Sequence, residues 1–431
     1  MSLTLDVETS VLRCPACGGE PAFHPVGDGA AVARCACAEY PLAEGVLVTN
    51  PGAVQDQLLE AVRRGDARVA RAVLLGNHRR KTRLIESLGM RLTFQRYVRH
   101  RALSEVVNQF KLRPVLERLA PRSVFSRVAA AAQWNIYIRH RFVQPPMMSI
   151  VALLGLVQGR EGLVLDAPCG MGHLSFLLGK LVPQRRIVCM DLSAPFAYAT
   201  RRFFAPDVGA AIVHNMNNPL PLAEESFGVI FCSDSFHYVE NRRGLAREFM
   251  RVLRDDGVLV ISHAHNRLHR TAYAGYPLSP AEYASLFEGY HVRIVPEPVL
   301  VDAYLNNAPL DLSRAYDESE LNGQPYLHVI VAKSPEALAG AVPPVRGQLL
   351  DAASNPQVSG LYHMTRRGES VVFERRIPEG LESEYAPFGD ILPPRVTVPA
   401  SAVHGNNGHL RFDNERELLE KHVLIDVPED F

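Results

Sequence analysis

The sequence predicts an α/β protein built on a mostly parallel sheet covered on both faces. Three observations carry that expectation. Between residues 148 and 333, short apolar runs alternate with helix-patterned segments, as in a parallel sheet with crossover helices. Two of those runs end in an acid, Asp166 and Asp191. The first leads into a Gly-x-Gly turn, Gly170-Met-Gly172.

The chain has 431 residues, enough for two to four domains. Its apolar fraction of 47% is ordinary for a soluble protein. The longest apolar run, Met147 to Val157, is too short to cross a bilayer. The N-terminus has no apolar h-region, so a cytoplasmic protein without membrane association is expected. Net charge is zero but unevenly spread: residues 51–142 carry 19 Lys/Arg against 6 Asp/Glu, and residues 300–431 carry 11 against 20. Either the two blocks pack together or are solvated, or the basic block meets an anionic partner.

Four of the seven cysteines, Cys14, Cys17, Cys35 and Cys37, fall within the first 40 residues. Two close pairs about twenty residues apart suit a tetrahedral Zn²⁺ held by tight knuckles. Pro15, Gly18 and Gly19 favour the first knuckle. His24 is an alternative fourth ligand, and four unmetallated thiols are the competing reading. Four protein ligands would leave no open position, so such a zinc would be structural. Cys169, Cys189 and Cys232 lie in or beside apolar strands and read as core.

Residues 53–142 read as helical, with apolar positions at Leu58, Leu59, Val62, Val69, Ala72 and Val73 and arginines on the other faces. Clusters at Asn77 to Lys81 and Arg96 to Arg101 mix basic and polar groups.

In the α/β region, Leu163 to Leu165 reads as a buried strand. Asp166 sits at its carboxyl end, where open α/β sheets bind ligands. Gly170 and Gly172 let the backbone turn sharply and approach a ligand. A helix near Leu174 to Lys180 follows, and its start offers N–H groups. No third glycine completes the dinucleotide fingerprint. Ile187 to Asp191 is a second strand, and an acid at its tip is placed to accept hydrogen bonds from a ribose diol. A third strand at Ala211 leads into a loop to Leu222. Phe227 to Ser235 is a fourth strand, and a helix carries Leu245 to Leu253. Asp256-Gly257 is expected to turn the chain into Val258 to Ser262. Ser279-Pro-Ala-Glu282 is a capping box opening a helix to Phe287. Val292 to Val295 and Leu327 to Ala332 read as the last strands.

The order of these features resembles the class I S-adenosylmethionine-dependent methyltransferases, in particular the ubiquinone-biosynthesis-type family, over about residues 160–333. Leu165-Asp-Ala-Pro-Cys-Gly-Met-Gly172 matches the first family motif, with Pro168 where Gly is commoner. Asp191 matches the ribose-binding acid. Asn215 to Leu222 matches the adenine loop, with Asn215 where Asp is usual. Phe227-Gly228 departs from the usual Phe-Asp, and Arg251 to Gly257 matches the segment before the fifth strand. The resemblance implies a Rossmann-like sheet that binds S-adenosylmethionine through Asp166, Ala167, Pro168, Gly170, Gly172, Asp191, Leu192, Asn215, Met216 and Ser233. The Cys segment resembles the zinc ribbons ahead of some methyltransferases, with Tyr40 to Val48 as their closing strand.

The expected organisation is a zinc ribbon (1–50), a basic helical segment (51–147), a cofactor-binding domain (148–335) and a small α+β appendage (336–431) that covers the active site or builds an oligomer contact. Methyl transfer needs an aligned nucleophile and, for a hydroxyl or carbon acid, a base. His237, His263 and His265, after the fourth and fifth strands, are the candidate bases, with Tyr238 and His269 nearby. A metal at His263 and His265 lacks a carboxylate fixed nearby by spacing. Three functions compete. The first is methylation of a small or carrier-tethered molecule. The second is methylation of RNA, with the basic block tracking phosphates. The third is binding of the cofactor without methyl transfer.

Overall fold

A computed structural model describes residues 9–27, 29–76, 137–269, 275–389, 391–404 and 410–429. The basic clusters at Asn77 to Lys81 and Arg96 to Arg101 lie outside them. The chain forms two compact units: residues 1–78 with 148–349, and residues 79–147 with 350–431.

The first unit is organised by one eleven-stranded mixed sheet. Its strands are β1 (Ala22–Gly27), β2 (Ala30–Arg34), β3 (Glu39–Ala43), β4 (Val46–Val48), β5 (Leu163–Asp166), β6 (Ile187–Asp191), β7 (Ala210–Val213), β8 (Phe227–Ser233), β9 (Leu253–His265), β10 (His291–Pro296) and β11 (Tyr326–Ala332). In space they run β1-β2-β3-β4-β7-β6-β5-β8-β9-β11-β10. Strands β4 to β9 pair in parallel across the centre, while β11 is antiparallel to both β9 and β10. The strand order reverses between β5 and β8, which is where ligands settle in open α/β sheets.

The first fifty residues do not form a detached ribbon. β1 to β4 are an antiparallel meander, and β4 pairs in parallel with β7 from Val46↔Ala211 to Val48↔Val213. The meander therefore covers the edge that β7 would otherwise expose. The two-residue side-chain period divides this seam. Leu47 and Ile212 face one apolar core. Val46, Val48, Ala211 and Val213 face another.

That second core is closed by α1 (Ala53–Arg63) and α2 (Ala67–Leu74). Leu58, Ala61 and Val62 of α1 and Ala70, Val73 and Leu74 of α2 are buried, as three- and four-residue spacing requires. Asp66 caps α2 by accepting the Val69 N–H at 3.0 Å. Their arginines meet acids of the meander: Arg71 with Glu44 at 2.6 Å, and Arg63 with Glu39. These two arginines of the basic block are paired locally.

Further helices are α3 (His173–Leu178), α4 (Ala194–Ala199), α5 (Arg242–Val252), α6 (Pro280–Ser285) and α7 (Glu297–Leu305). The capping box at Ser279 and Glu282 is present. Asp256-Gly257 does not start a new strand. Phe227 pairs with Leu253 and Val229 with Val258, so the residues between Leu253 and Val258 bulge out opposite Gly228 alone.

The second unit contains an antiparallel sheet, β13 (Tyr362–Arg367), β14 (Ser370–Arg375) and β15 (Arg395–Pro399), and a separate pair, β12 (Pro356–Val358) with β16 (Leu424–Asp426). His140 belongs with it, since its Nε2 lies 3.1 Å from the Tyr385 hydroxyl.

Candidate functional site

The turn after β5 and the tip of β6 meet. Asp191 is buried, and its Oδ2 accepts the Gly170 N–H at 2.9 Å while Oδ1 accepts the Ser193 N–H at 2.8 Å. Burial raises its carboxyl to about 6 against those donors. Each oxygen keeps a second lone pair for a ligand. Asp166 lies deeper, with its Oδ2 accepting the Ser175 hydroxyl at 2.5 Å, and burial raises it to about 7.

Gly170 and Gly172 both have positive φ. At Gly172 the glycine is also a steric need: a Cβ there would lie 2.8 Å from Thr200 Cγ2 and 2.9 Å from Phe204 Cβ. Ala167 is buried, and the Ala167–Pro168 peptide is cis. Leu192, beside the acid, is 57% exposed, an apolar side chain left facing solvent at the sheet tip. The departure at Gly228 has a local cause, because a Cβ there would fall 2.0 Å from the Glu161 carbonyl oxygen.

The loop after β7 is held from two sides. Asn215 Oδ1 accepts the Asn217 N–H at 3.1 Å and its Nδ2 at 3.0 Å, so that oxygen shapes its own turn. Met216 is buried. The N-terminal segment braces the far end of the loop: Arg13 N–H donates to Pro221 O at 3.0 Å, and Ala223 N–H to Val11 O at 2.7 Å. Thr49 Oγ1 lies 3.0 Å from His214 Nδ1. Burial lowers His214 to about 4.

The same segment carries the four N-terminal thiols. Sulfur separations are 3.5 Å for Cys14–Cys37, 3.4 Å for Cys35–Cys37 and 3.9 Å for Cys17–Cys35. Cys14 also lies 3.1 Å from the Tyr40 hydroxyl. His24 is no part of the cluster, and Cys14, Cys17, Cys35 and Cys37 all come within 4.8 Å of one another.

Across the switch point lies a histidine-rich wall. Ser233 at the end of β8 accepts the Ser262 hydroxyl at 3.1 Å. His237, in the turn Phe236–Tyr238, packs its ring 4.0 Å from that of His265. His265 Nε2 lies 3.8 Å from Asp234 Oδ1. Burial, and then the neighbouring His265, lower His237 to about 4.

His263 does not join them. Its Nδ1 sits 2.6 Å from Glu297 Oε2, and that same oxygen is 3.4 Å from His328 Nε2. The Tyr326 ring stacks on His263 at 4.0 Å. Burial works against the Glu297 charge, but the His263 and His328 imidazoles together outweigh it and bring the carboxyl to about 2. The backbone explains the separation. Leu327 pairs with Ala264 but Val329 with Ile261, so Ser262 and His263 bulge opposite His328. His263 has φ 49, and the bulge re-aims its side chain away from the path that strand alternation sets. Asp234, Glu297 and His328 carry no motif that spacing would single out; Asp234 announces itself only by following a buried strand.

Residues 165–261 match the family described as a methyltransferase domain. Over that stretch the chain is similar to a methyltransferase domain. Relatives include a malonyl-[acyl-carrier protein] O-methyltransferase from Xylella fastidiosa, 26% identical over 33% of this chain and 47% of that protein. The mitochondrial arginine-hydroxylase NDUFAF5 of Danio rerio is 31% identical over 23% of this chain and 29% of that protein. The ubiquinone/menaquinone biosynthesis C-methyltransferase UbiE of Syntrophotalea carbinolica is 26% identical over 43% of this chain and 77% of that protein. The chain thus spans about half the length, or less, of the first two. A Streptomyces coelicolor geranyl diphosphate C-methyltransferase structure, with Mg²⁺, geranyl diphosphate and S-adenosyl-L-homocysteine, has a TM-score of 0.33 at 18% identity over 43% of this chain and 77% of that one. Among the described residues, no helix is long and apolar enough to cross a membrane.

Proposed function

We propose that this protein transfers a methyl group from S-adenosylmethionine to a small or carrier-tethered acceptor. The observation that carries this is Asp191, at the tip of β6, locked onto the Gly170 turn inside the matched methyltransferase domain. The cofactor supplies an electrophilic methyl on a sulfonium, so the protein's work is binding and alignment. Asp191 would accept the ribose hydroxyls. Asp166, Ala167, Pro168, Gly170 and Gly172 would line the approach of the cofactor backbone. Leu192 and Met216 would flank the base, with Ser233 on the wall beyond. Asn215 Oδ1 is engaged by Asn217, so adenine recognition would fall to backbone groups and to Leu192.

His237 and His265 would face the acceptor. His263 would position rather than react, because Glu297 already holds it. Relatives that methylate a carrier-bound malonyl group and a quinone precursor, by their names, support the acceptor class. The arginine-hydroxylase relative motivates the second reading, cofactor binding without methyl transfer. An RNA acceptor draws no support from Arg63 and Arg71, which are neutralised by Glu39 and Glu44.

The four N-terminal thiols would hold a structural Zn²⁺. Four sulfurs at about 2.3 Å from a tetrahedral ion lie roughly 3.8 Å apart, close to the observed 3.4–3.9 Å. Incubating the protein with S-adenosylmethionine and a metabolite extract tests the main reading. Formation of S-adenosylhomocysteine is expected. Calorimetry that detects no cofactor binding would overturn it, and binding without turnover would favour the second reading.

A further inference from the structure

We infer that Asp234, His237 and His265 form a binding site for one divalent transition-metal ion, separate from the four cysteines. Three elements converge to build it. Asp234 follows β8, His237 lies in the next turn, and His265 ends β9. One ligand atom from each comes within 4.8 Å of the others. Asp234 Oδ1 and His265 Nε2 are already 3.8 Å apart, and the two imidazole rings are 4.0 Å apart. Ligand atoms at about 2.1 Å from an ion lie roughly 3.0–3.4 Å apart in octahedral or tetrahedral geometry. Side-chain adjustments of about an ångström close that difference.

The polar bookkeeping points the same way. His237 is 2% exposed, and among the described residues neither of its ring nitrogens has a hydrogen-bond partner. Buried polar atoms are nearly always satisfied. A buried imidazole with neither nitrogen satisfied, packed against a second imidazole beside a carboxylate, would be an unexplained cost without a shared cation. His263 is the internal contrast to His237: it has Glu297 at hydrogen-bond distance.

The surroundings fix the ligands. The Asp234 N–H donates to Ser262 O at 3.0 Å, and the Tyr283 hydroxyl donates to His265 O at 3.0 Å. The Tyr276 N–H donates to His237 O at 2.6 Å. Two imidazoles and one carboxylate leave coordination positions open, the donor set of an ion that acts on a substrate rather than one that staples a fold. The class of ligand it would take is an oxygen donor, a hydroxyl or a carboxylate. Its use in the reaction rests on the methyl-transfer reading above; the metal site itself does not.

The test uses the full-length protein stripped of metal and titrated with Co²⁺ alone. Two ions are expected to bind: one with thiolate charge-transfer absorption, from the cysteines, and one with only ligand-field bands. His265→Ala should abolish the second and keep the first. Asp234→Asn should weaken the second more than about tenfold, and asparagine tolerates the left-handed backbone there, φ 49. Retained thiolate absorption shows that each variant is folded. A single Co²⁺ equivalent in the parent, or a second equivalent unchanged in both variants, overturns the site. S-adenosylmethionine affinity, measured separately by calorimetry, reports on the methyl-transfer reading, so the two fail independently.

Discussion

Gly170 donates its backbone N–H to Asp191 Oδ2 at 2.9 Å, so the acid at the tip of one strand sets the shape of the turn that leaves its neighbour. The carboxylate therefore has two tasks, holding the turn and presenting lone pairs outward. Asp191→Ala should lose both and weaken S-adenosylmethionine binding by roughly 1–3 kcal/mol. Calorimetry measures this; unchanged affinity would sink the assignment of the cofactor to these strand tips.

Gly172 tests the packing behind the same turn. A methyl group there would meet Thr200 and Phe204 at under 3 Å, in a backbone conformation that already disfavours side chains. Gly172→Ala should destabilise the fold by about 1–3 kcal/mol. Thermal or denaturant unfolding would show it, and a neutral result would mean that the turn is less confined than its geometry indicates.

The N-terminal cysteines and the loop after β7 are mechanically linked through Val11, Arg13 and Ala223. Replacing Cys14 and Cys17 with serine should release zinc and also weaken cofactor binding, although neither residue lies at the cofactor turn. Metal analysis and calorimetry on the same sample check both. Equal zinc content in variant and parent would refute the metal, and zinc loss without any affinity change would refute the link. Deleting residues 1–50 should leave β7 as an open edge and make the remainder aggregate, which size-exclusion chromatography would reveal.

His214 gives a pH signature. Burial lowers its folded value to about 4 from 6.5. The unfolded chain therefore takes up a proton first as the medium acidifies. Stability should fall between about pH 6.5 and 4 and then level off, with a span of about 3 kcal/mol from this group. His214→Asn should remove that portion of the acid slope. Denaturant unfolding across the range would measure it, and parallel parent and variant slopes would contradict it.

Glu297 holds two buried imidazoles, His263 and His328. Glu297→Ala should cost about 3–5 kcal/mol, the usual penalty for stranding partners of a buried pair. A drop in unfolding free energy of well under 1 kcal/mol would show that the histidines find other acceptors.

Much of this arrangement was legible in the sequence. Short continuous apolar runs, acids at their ends and Gly170-Met-Gly172 marked the parallel sheet and the turn, because strand burial and glycine turns are local chemistry. The Cys spacing likewise marked a four-sulfur cluster, and the structure gathers those sulfurs. The wall opposite the turn was only half legible. His237, His263 and His265 were visible as three nearby histidines, yet their roles divide. The bulge at Ser262 and His263 depends on how β9 meets β11, a strand more than sixty residues later. Glu297 becomes the partner of His263 through that meeting, whereas Asp234 reaches His265 through the pairing of β8 with β9.

The sequence by itself determined which strands are buried, where the backbone must turn and which side chains have the chemistry to bind a nucleoside or a metal. Those follow from hydrophobic period and residue type within a few positions. Tertiary structure alone decided that the N-terminal meander extends the sheet at β7, that His263 goes to Glu297, and that His265 goes to Asp234 and His237. These outcomes depend on pairing register between distant segments, and a one-residue shift in register redirects every side chain beyond it.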